Sequence, residues 1–396
     1  MRQVQDNNRI HLQKPDQPRD LPEPGPGRTR ALPMTARLAI ILFFLFWGSL
    51  LLVVPYRQWE FTPAFIFESV KNRFAHFYQF LFGTGAESFG ITIYQYLAVI
   101  AIGLALAACG TIFQGSFRNL LAGPSTMGVM SGGTLGCMLY VLFFTSTTVE
   151  SGFATADLVA HSQRTLLEIY GQQFCTLLGC FAGVALVMGV STAAGRGKLS
   201  PSAMILSGTV FSTITGSVSS LIQYYLIMSD PSDPRIETIR NLMMGSLNRV
   251  TDLRTLLMVL VPLLICVAVL LSLRSKLNLL SLNEDEAQTM GISLRKYRDL
   301  CVLIGTVMTA VVIAFCGHIG FLGFMIPLVG RRLAGPNMEK LLPVSMLFGA
   351  ILLMVVFDLA YITGLTDYLN LFTSSIGGVV MIVVLLRKGG ASRAAV

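Results

Sequence analysis

Long, almost uncharged apolar runs recur along the whole chain, separated by short pieces rich in glycine, proline and charge. Residues 36–54 and 255–273 are representative, each 19 residues long; as helices they rise roughly 29 Å and match a bilayer core of about 30 Å. The runs lack the ~10-residue alternation of a membrane barrel, so helices must satisfy the backbone within lipid. The pattern predicts an all-α polytopic membrane protein with ten spans, at about 36–54, 91–113, 126–145, 171–194, 203–227, 255–273, 299–316, 319–334, 342–363 and 371–387. The eighth is the least regular, because Gly317, Gly320, Gly323 and Pro327 interrupt it. Such a broken segment lines a cavity or packs inside protein, since lipid leaves freed backbone groups unsatisfied.

Composition agrees: 53% of residues are hydrophobic and 13% charged, outside the range of soluble globular chains. Residues 1–35 differ, with Pro15, Pro18, Pro22, Pro24, Pro26 and Pro33 among basic residues, and read as a disordered tail. That tail is too long and polar for a secretory signal, so 36–54 is expected to be a retained span within a transmembrane domain at 36–390. An even span count puts both termini on one side, and that side holds 21 Lys and Arg against 8 on the other. Without the seven at the N-terminus the bias is still 14 against 8, so both termini are expected to be cytoplasmic. The net charge of +8 then reflects cytosolic loops and implies no nucleic-acid partner. Seven cysteines, all in apolar stretches without a CxxC pair, read as buried small hydrophobes; no metal site is expected.

Four stretches could carry function. The charged island 277–298 places Glu284, Asp285 and Glu286 after a capping Asn283, ends a short helix at Gly291, and offers Ser293 as the cap of a helix whose first turn carries Arg295. It reads equally as a capped hairpin or as a cytosolic docking element. In 110–136, Gly128, Gly132 and Gly136 recur every four residues, a face suited to close helix packing or to substrate contact. The turn before them holds Arg118 and Asn119. The fifth span carries Ser207, Thr209, Ser212, Thr213, Thr215, Ser217, Ser219 and Ser220. So many hydroxyls favour a helix lining a polar route over one whose hydroxyls only bond their own backbone.

Asp358 is the one carboxylate well inside a span, and it must face protein, a cavity or an interface. Neighbours near the outer end of its helix suffice to satisfy it. His318 is expected to bond locally. The chain contains no GxxxxGK[ST], HExxH or GxSxG, so it binds no nucleotide of its own by these motifs and is not expected to be an enzyme.

The chain resembles the FecCD type of ABC-transporter permease. The likeness rests on QGSFRNLLAGPSTMGVMSGGTLG from Gln114, LSGTVFS from Leu206, MMGSL from Met243, LNLLSLNEDEAQTMGI from Leu277, GHIGFLGFMIPLVGRRLAGPNMEKLLP from Gly317 and TSSIGG from Thr373. It implies the type II importer permease fold in a bacterial inner membrane, with two permease subunits, alike or different, around a pathway lined largely by the fifth helix. It also implies two cytosolic ABC ATPases carrying ATP and Mg, and an extracytoplasmic binding protein. By the resemblance Asn283, Glu284, Asp285, Glu286, Gly291 and Arg295 couple to the ATPase, while Ser207, Thr209, Ser212, Thr215 and Ser219 line the pathway. Arg118 and Asn119 sit at its cytosolic end. The implied cargo is a ferric siderophore or related iron chelate, with haem and corrinoids as alternatives; an ion-gradient-driven transporter is the rival from another class.

The sequence departs from the family at several positions. Thr92, Tyr94 and Gln95 stand where an RxPR-like motif commonly sits, and Asp358 lacks its usual basic successor. Pro327-Leu328 replaces Pro-His, Gly123-Pro124 closes the 118–124 turn, and Tyr368-Leu369-Asn370 replaces PxG.

Overall fold

The structure, a computed structural model, describes residues 33–49, 86–144, 166–196, 201–281 and 293–393. Among these, the α-helices are α1 (Met34–Gly48), α2 (Ala86–Ser116), α3 (Val129–Phe144), α4 (Leu166–Ala194), α5 (Pro201–Ser229), α6 (Pro234–Met244), α7 (Leu253–Leu277), α8 (Leu294–Cys316), α9 (Leu322–Ala334), α10 (Met338–Thr363) and α11 (Leu369–Arg393). Two 3-10 turns, Asn278–Ser281 and Thr366–Tyr368, follow α7 and precede α11.

Over its described residues each expected span coincides with one helix, 50–54 and 145 lying outside them, and six of the helices are long and apolar enough to cross a bilayer by themselves. The sequence pattern missed α6, whose 11 residues rise only about 16 Å and cannot cross. Its signals lie in its ends instead: Asp233 caps it by accepting from Arg235 N–H, Pro234 opens it, Glu237 sits in the first turn and Gly245 closes it. Ser293 does stand at the N-cap of α8, but its side chain makes no capping bond. The expected tail lies outside the described residues except for 33–35, as do Asn283, Glu284, Asp285, Glu286 and Gly291.

The core is built around α2. In the apolar windows of α2, α8 and α10, 83%, 72% and 61% of residues are buried, against 17% to 33% in α4, α5 and α7, so the former are interior helices and the latter flank them. Backbone crowding sets the closest approaches. A Cβ on Gly103 of α2 would lie 2.6 Å from the Gly349 carbonyl of α10, and one on Gly110 would fall on Gly323 at the start of α9.

The glycine stripe of α3 meets a second stripe on α4. A Cβ on Gly132 would lie 2.2 Å from Gly179 O, one on Gly179 would lie 2.2 Å from Gly132 O, and one on Gly136 would lie 2.3 Å from Cys175 O. The missing side chains therefore serve helix packing. Gly128 stands one residue ahead of α3 with φ of 73°, and its carbonyl would meet a Cβ on Gly183 at 2.2 Å.

The break between α8 and α9 is sharp. Gly317 has φ of 72° and Phe321 has φ of 63°, a conformation that a bulky residue adopts only under constraint. Here the constraint is α6: His318 N–H donates to Leu242 O at 2.8 Å and Ser246 N–H to Cys316 O at 2.9 Å. Protein, not lipid, satisfies the freed backbone.

Candidate functional site

The hydroxyls of α5 fall into two sets. Thr215 and Ser219 are buried and donate back to Phe211 O and Thr215 O at 2.9 and 2.8 Å. Ser207 bonds to Met204 O at 3.1 Å and reaches Val187 O of α4 at 3.3 Å, and Ser212 shares a 2.7 Å bond with Ser131 of α3. Ser207 and Ser212 thus tie α5 to its neighbours, while Thr215 and Ser219 face inward and bond within their own helix. Thr209, Thr213, Ser217 and Ser220 instead lie exposed, three or four residues apart, which puts them along one edge of the helix. Leu206, Val210, Ile214 and Leu221 share the exposed side. Of the five residues expected on the pathway, only Thr209 belongs to the exposed edge; Thr213, Ser217 and Ser220 complete it.

At one end of the bundle, the turn after α2 is held by its own side chains. Asn119 Oδ1 accepts from Leu121 N–H at 2.9 Å, and Thr126 Oγ accepts from Gly123 N–H at 2.9 Å while donating to Leu121 O. Arg118, with φ of 47°, donates through Nε to Leu280 O at 3.0 Å. Asn278 donates to Asn337 Oδ1 at 3.0 Å and accepts from Met338 N–H at 2.7 Å. Hence Arg118, the exit of α7 and the start of α10 share one end, as the alternating threading requires. Arg295, 89% exposed, reaches Asp299 only at 3.9 Å, a solvated pair of small consequence.

The opposite end is cross-braced between side chains and backbone. Arg235 pairs with Asp233 at 2.6 Å and donates to Leu142 O at the end of α3 at 3.2 Å. The Arg235 hydrogen bond holds the Asp233 carboxyl below its ordinary value of 3.8. Arg249 joins Ala314 O of α8 to Gln172 of α4, both at 2.9 Å. Asn370, where the family usually has glycine, accepts from Gly320 N–H at 2.9 Å and donates to Met243 O at 3.2 Å, bracing the break. Asp367 accepts from Ser246 Oγ at 2.6 Å. His318 bonds through its backbone, and desolvation among the packed helix ends pushes its imidazole down to about 4.

Thr92, Tyr94 and Gln95 lie within α2, Tyr94 and Gln95 half-buried. Thr92 is buried, and Gln95 reaches Leu247 O at 3.5 Å. No arginine fork is presented at these positions.

Asp358 is satisfied by neighbours: Tyr96 of α2 donates to one carboxylate oxygen at 2.5 Å and Ser49, just past α1, donates to the other at 2.6 Å. The Tyr96 ring is fully buried and packs edge-on against Phe357, with centroids 5.1 Å apart. The carboxylate thus fastens α1 and α2 to α10. Among the described residues no cluster of three His, Cys, Asp or Glu could hold a metal ion.

Closely packed apolar helices, a broken helix braced by protein and a peripheral helix with an exposed hydroxyl edge define a polytopic helical membrane protein. The comparisons narrow the class: the profile of the FecCD transport family matches residues 39–387, and the chain belongs to that family. The molybdate import system permease protein MolB of Haemophilus influenzae is 32% identical over 307 residues, covering 76% of this chain and 82% of MolB. The Fe(3+)-citrate import system permease protein YfmE of Bacillus subtilis is 30% identical over 281 residues, covering 68% of this chain and 73% of YfmE. A solved metal-chelate type ABC transporter in an inward-facing conformation superposes with a TM-score of 0.65 at 26% identity, covering 89% of this chain and 99% of that one. The relatives are permease proteins, so this chain is a transport subunit rather than an enzyme.

Proposed function

We propose that the chain is the membrane permease of an ATP-driven importer, working by alternating access, with ATP and Mg bound by a separate ATPase. Family membership across 39–387 carries this reading, and the absence of a nucleotide motif from the whole sequence supports it. The partners are a second permease subunit, two cytosolic ATPases and an extracytoplasmic binding protein. The charge bias puts both termini on the cytosolic side of the plasma membrane.

The cargo in this reading is a ferric siderophore or related iron chelate. The Fe(3+)-citrate relative and the metal-chelate type structure support it. Molybdate is the second reading, supported by the 32% identity to MolB. Haem and corrinoids follow from the family resemblance. The pathway runs along the exposed edge of α5 at Thr209, Thr213, Ser217 and Ser220, with Ser207 and Ser212 holding that edge in place and Thr215 and Ser219 on the buried side of the helix. Asn283, Glu284, Asp285, Glu286, Gly291 and Arg295 meet the ATPase, and Arg118 and Asn119 stand at the cytosolic mouth.

The test is reconstitution with candidate ATPase and binding-protein partners, offering a labelled ferric siderophore, haem, cobalamin or molybdate one at a time. ATP-dependent uptake of the ferric chelate alone is expected. Glu284→Arg with Glu286→Arg should abolish assembly or substrate-stimulated hydrolysis; retention of both rules out the coupling assignment. Uptake without any ATPase, lost on Asp358→Asn, would instead establish an ion-gradient transporter.

A further inference from the structure

The short turn Asn278–Ser281 leads straight into the island expected to meet the ATPase, and it is bonded on two sides. Leu277 and Leu280 are buried at 2% and 3% exposure, so their side chains anchor the turn from below. From one side Arg118 donates to Leu280 O at 3.0 Å. On the other side the Asn278 carboxamide uses both of its ends, donating to Asn337 Oδ1 and accepting from Met338 N–H. Asn337 is the N-cap of α10, and its Oδ1 also accepts from Glu339 N–H at 2.9 Å. Met338 closes the circuit, because its side chain fills the space over Gly115, where a Cβ would lie 2.2 Å from the Met338 methyl.

We propose that Asn278 and Arg118 are positioning residues that transmit displacement of the coupling segment to the α2–α3 turn and to α10. The inference rests on the permease reading above. A buried apolar anchor alone would let the turn rotate, because apolar contacts are non-directional. Hydrogen bonds from fixed side chains impose direction, so a push on the turn becomes a push on the first turn of α10. That helix lies against α2 at Gly103 and Gly349 and carries Asp358 toward its far end. Arg118 holds its carbonyl partner from a left-handed backbone position that a non-glycine residue adopts only when its surroundings impose it.

The experiment uses the full complex with ATPase, and reads substrate transported per ATP hydrolysed. Asn278→Ala should leave assembly, melting temperature and ATP hydrolysis at wild-type levels while transport per ATP falls about fivefold or more, the factor expected for each ordinary hydrogen bond lost. Asn278→Asp keeps an acceptor for Met338 N–H but sets a carboxylate oxygen against Asn337 Oδ1 where a donor stood, so it should lower the ratio as well. Arg118→Met, which removes the donor to Leu280, should lower the same ratio and serves where Asn278→Ala does not assemble. A wild-type ratio in these variants overturns the proposal, and so does a parallel fall of transport, hydrolysis and melting temperature, which marks a purely structural role. If the wild-type complex shows no ATP-dependent uptake, the permease reading fails first and the proposal with it.

Discussion

The seam between α3 and α4 makes a demanding prediction. Replacing Gly132 with alanine puts a methyl group 2.2 Å from the Gly179 carbonyl oxygen. Ordinary contact needs roughly 3.4 Å or more, so the shortfall is about 1 Å. The obstructing atom belongs to the backbone of a helix and cannot rotate aside, so the helices must part. A gap of 0.5–1 Å forfeits about a quarter to a half of each contact's dispersion energy. Gly132, Gly136, Gly179 and Gly183 share this seam, and the loss spreads along it. The expected cost is about 1–3 kcal/mol, the usual range for overpacking. Gly189 on α4 and Gly216 on α5 have nothing within 4 Å of an added Cβ; alanine there should be neutral or stabilising by up to ~1 kcal/mol from helix propensity. The assay is thermal or SDS-induced unfolding of the purified protein in detergent. Gly132→Ala and Gly179→Ala together should cost less than their sum, because the first methyl has already parted the helices. A Gly132→Ala protein as stable as wild type, or Gly189→Ala as damaging as Gly132→Ala, would refute the packing argument.

Three further outcomes follow. Asp358→Ala should destabilise by about 1–3 kcal/mol by stranding the buried Tyr96 hydroxyl, and adding Tyr96→Phe should recover part of the loss in the same melts; recovery of nothing would count against the carboxylate as a fastener. Thr213→Leu on the exposed edge of α5 should lower reconstituted uptake by about tenfold or more, since an unpaired polar cargo loses a partner worth about 1–3 kcal/mol, whereas Thr215→Val, deleting a hydroxyl already bonded to its own helix, should leave uptake near wild type; the reverse order would move the pathway off this edge. Asp233 has its pKa lowered below 3.8 in the fold, so its stabilisation is fully present above about pH 4 and is lost as pH falls through the folded value. Melting should therefore show no Asp233 contribution to pH dependence between pH 5 and 8, checked by comparing wild type with Asp233→Asn across that window.

Most spans are legible because they are apolar runs of about bilayer length, and the break before α9 is legible from Gly317, Gly320, Gly323 and Pro327. The helix α6 is not. Its apolar pattern is too short to register, although Asp233, Pro234 and Gly245 mark both of its ends. The partner of the glycine stripe is written in the sequence as well: Gly171, Cys175, Gly179 and Gly183 repeat at the same four-residue interval on α4. A stripe of small residues needs an equally small surface opposite it, so the search for one should lead at once to the other.

The candidate site shows a subtler limit. Counting hydroxyls on the fifth span points to a polar helix, but a serine or threonine in a helix can spend its donor on a carbonyl three or four residues back, leaving only its acceptor lone pairs for a neighbour. Nearly every hydroxyl on α5 does so, including the exposed Thr213 and Ser217. What separates the two sets is phase around the helix: Thr209, Thr213 and Ser217 step by four along the exposed edge, while Thr215 and Ser219 step by four along the buried one. Both rows have the same spacing, and the sequence does not say which faces the neighbours. That is decided by Gly208, where a Cβ would lie 1.8 Å from Thr126 O. The absent side chain lets α5 approach the turn before α3, and this approach fixes its rotation. With that contact as the reference, the helical repeat turns Thr209, Thr213 and Ser217 outward, so a single glycine selects which hydroxyl row lies exposed.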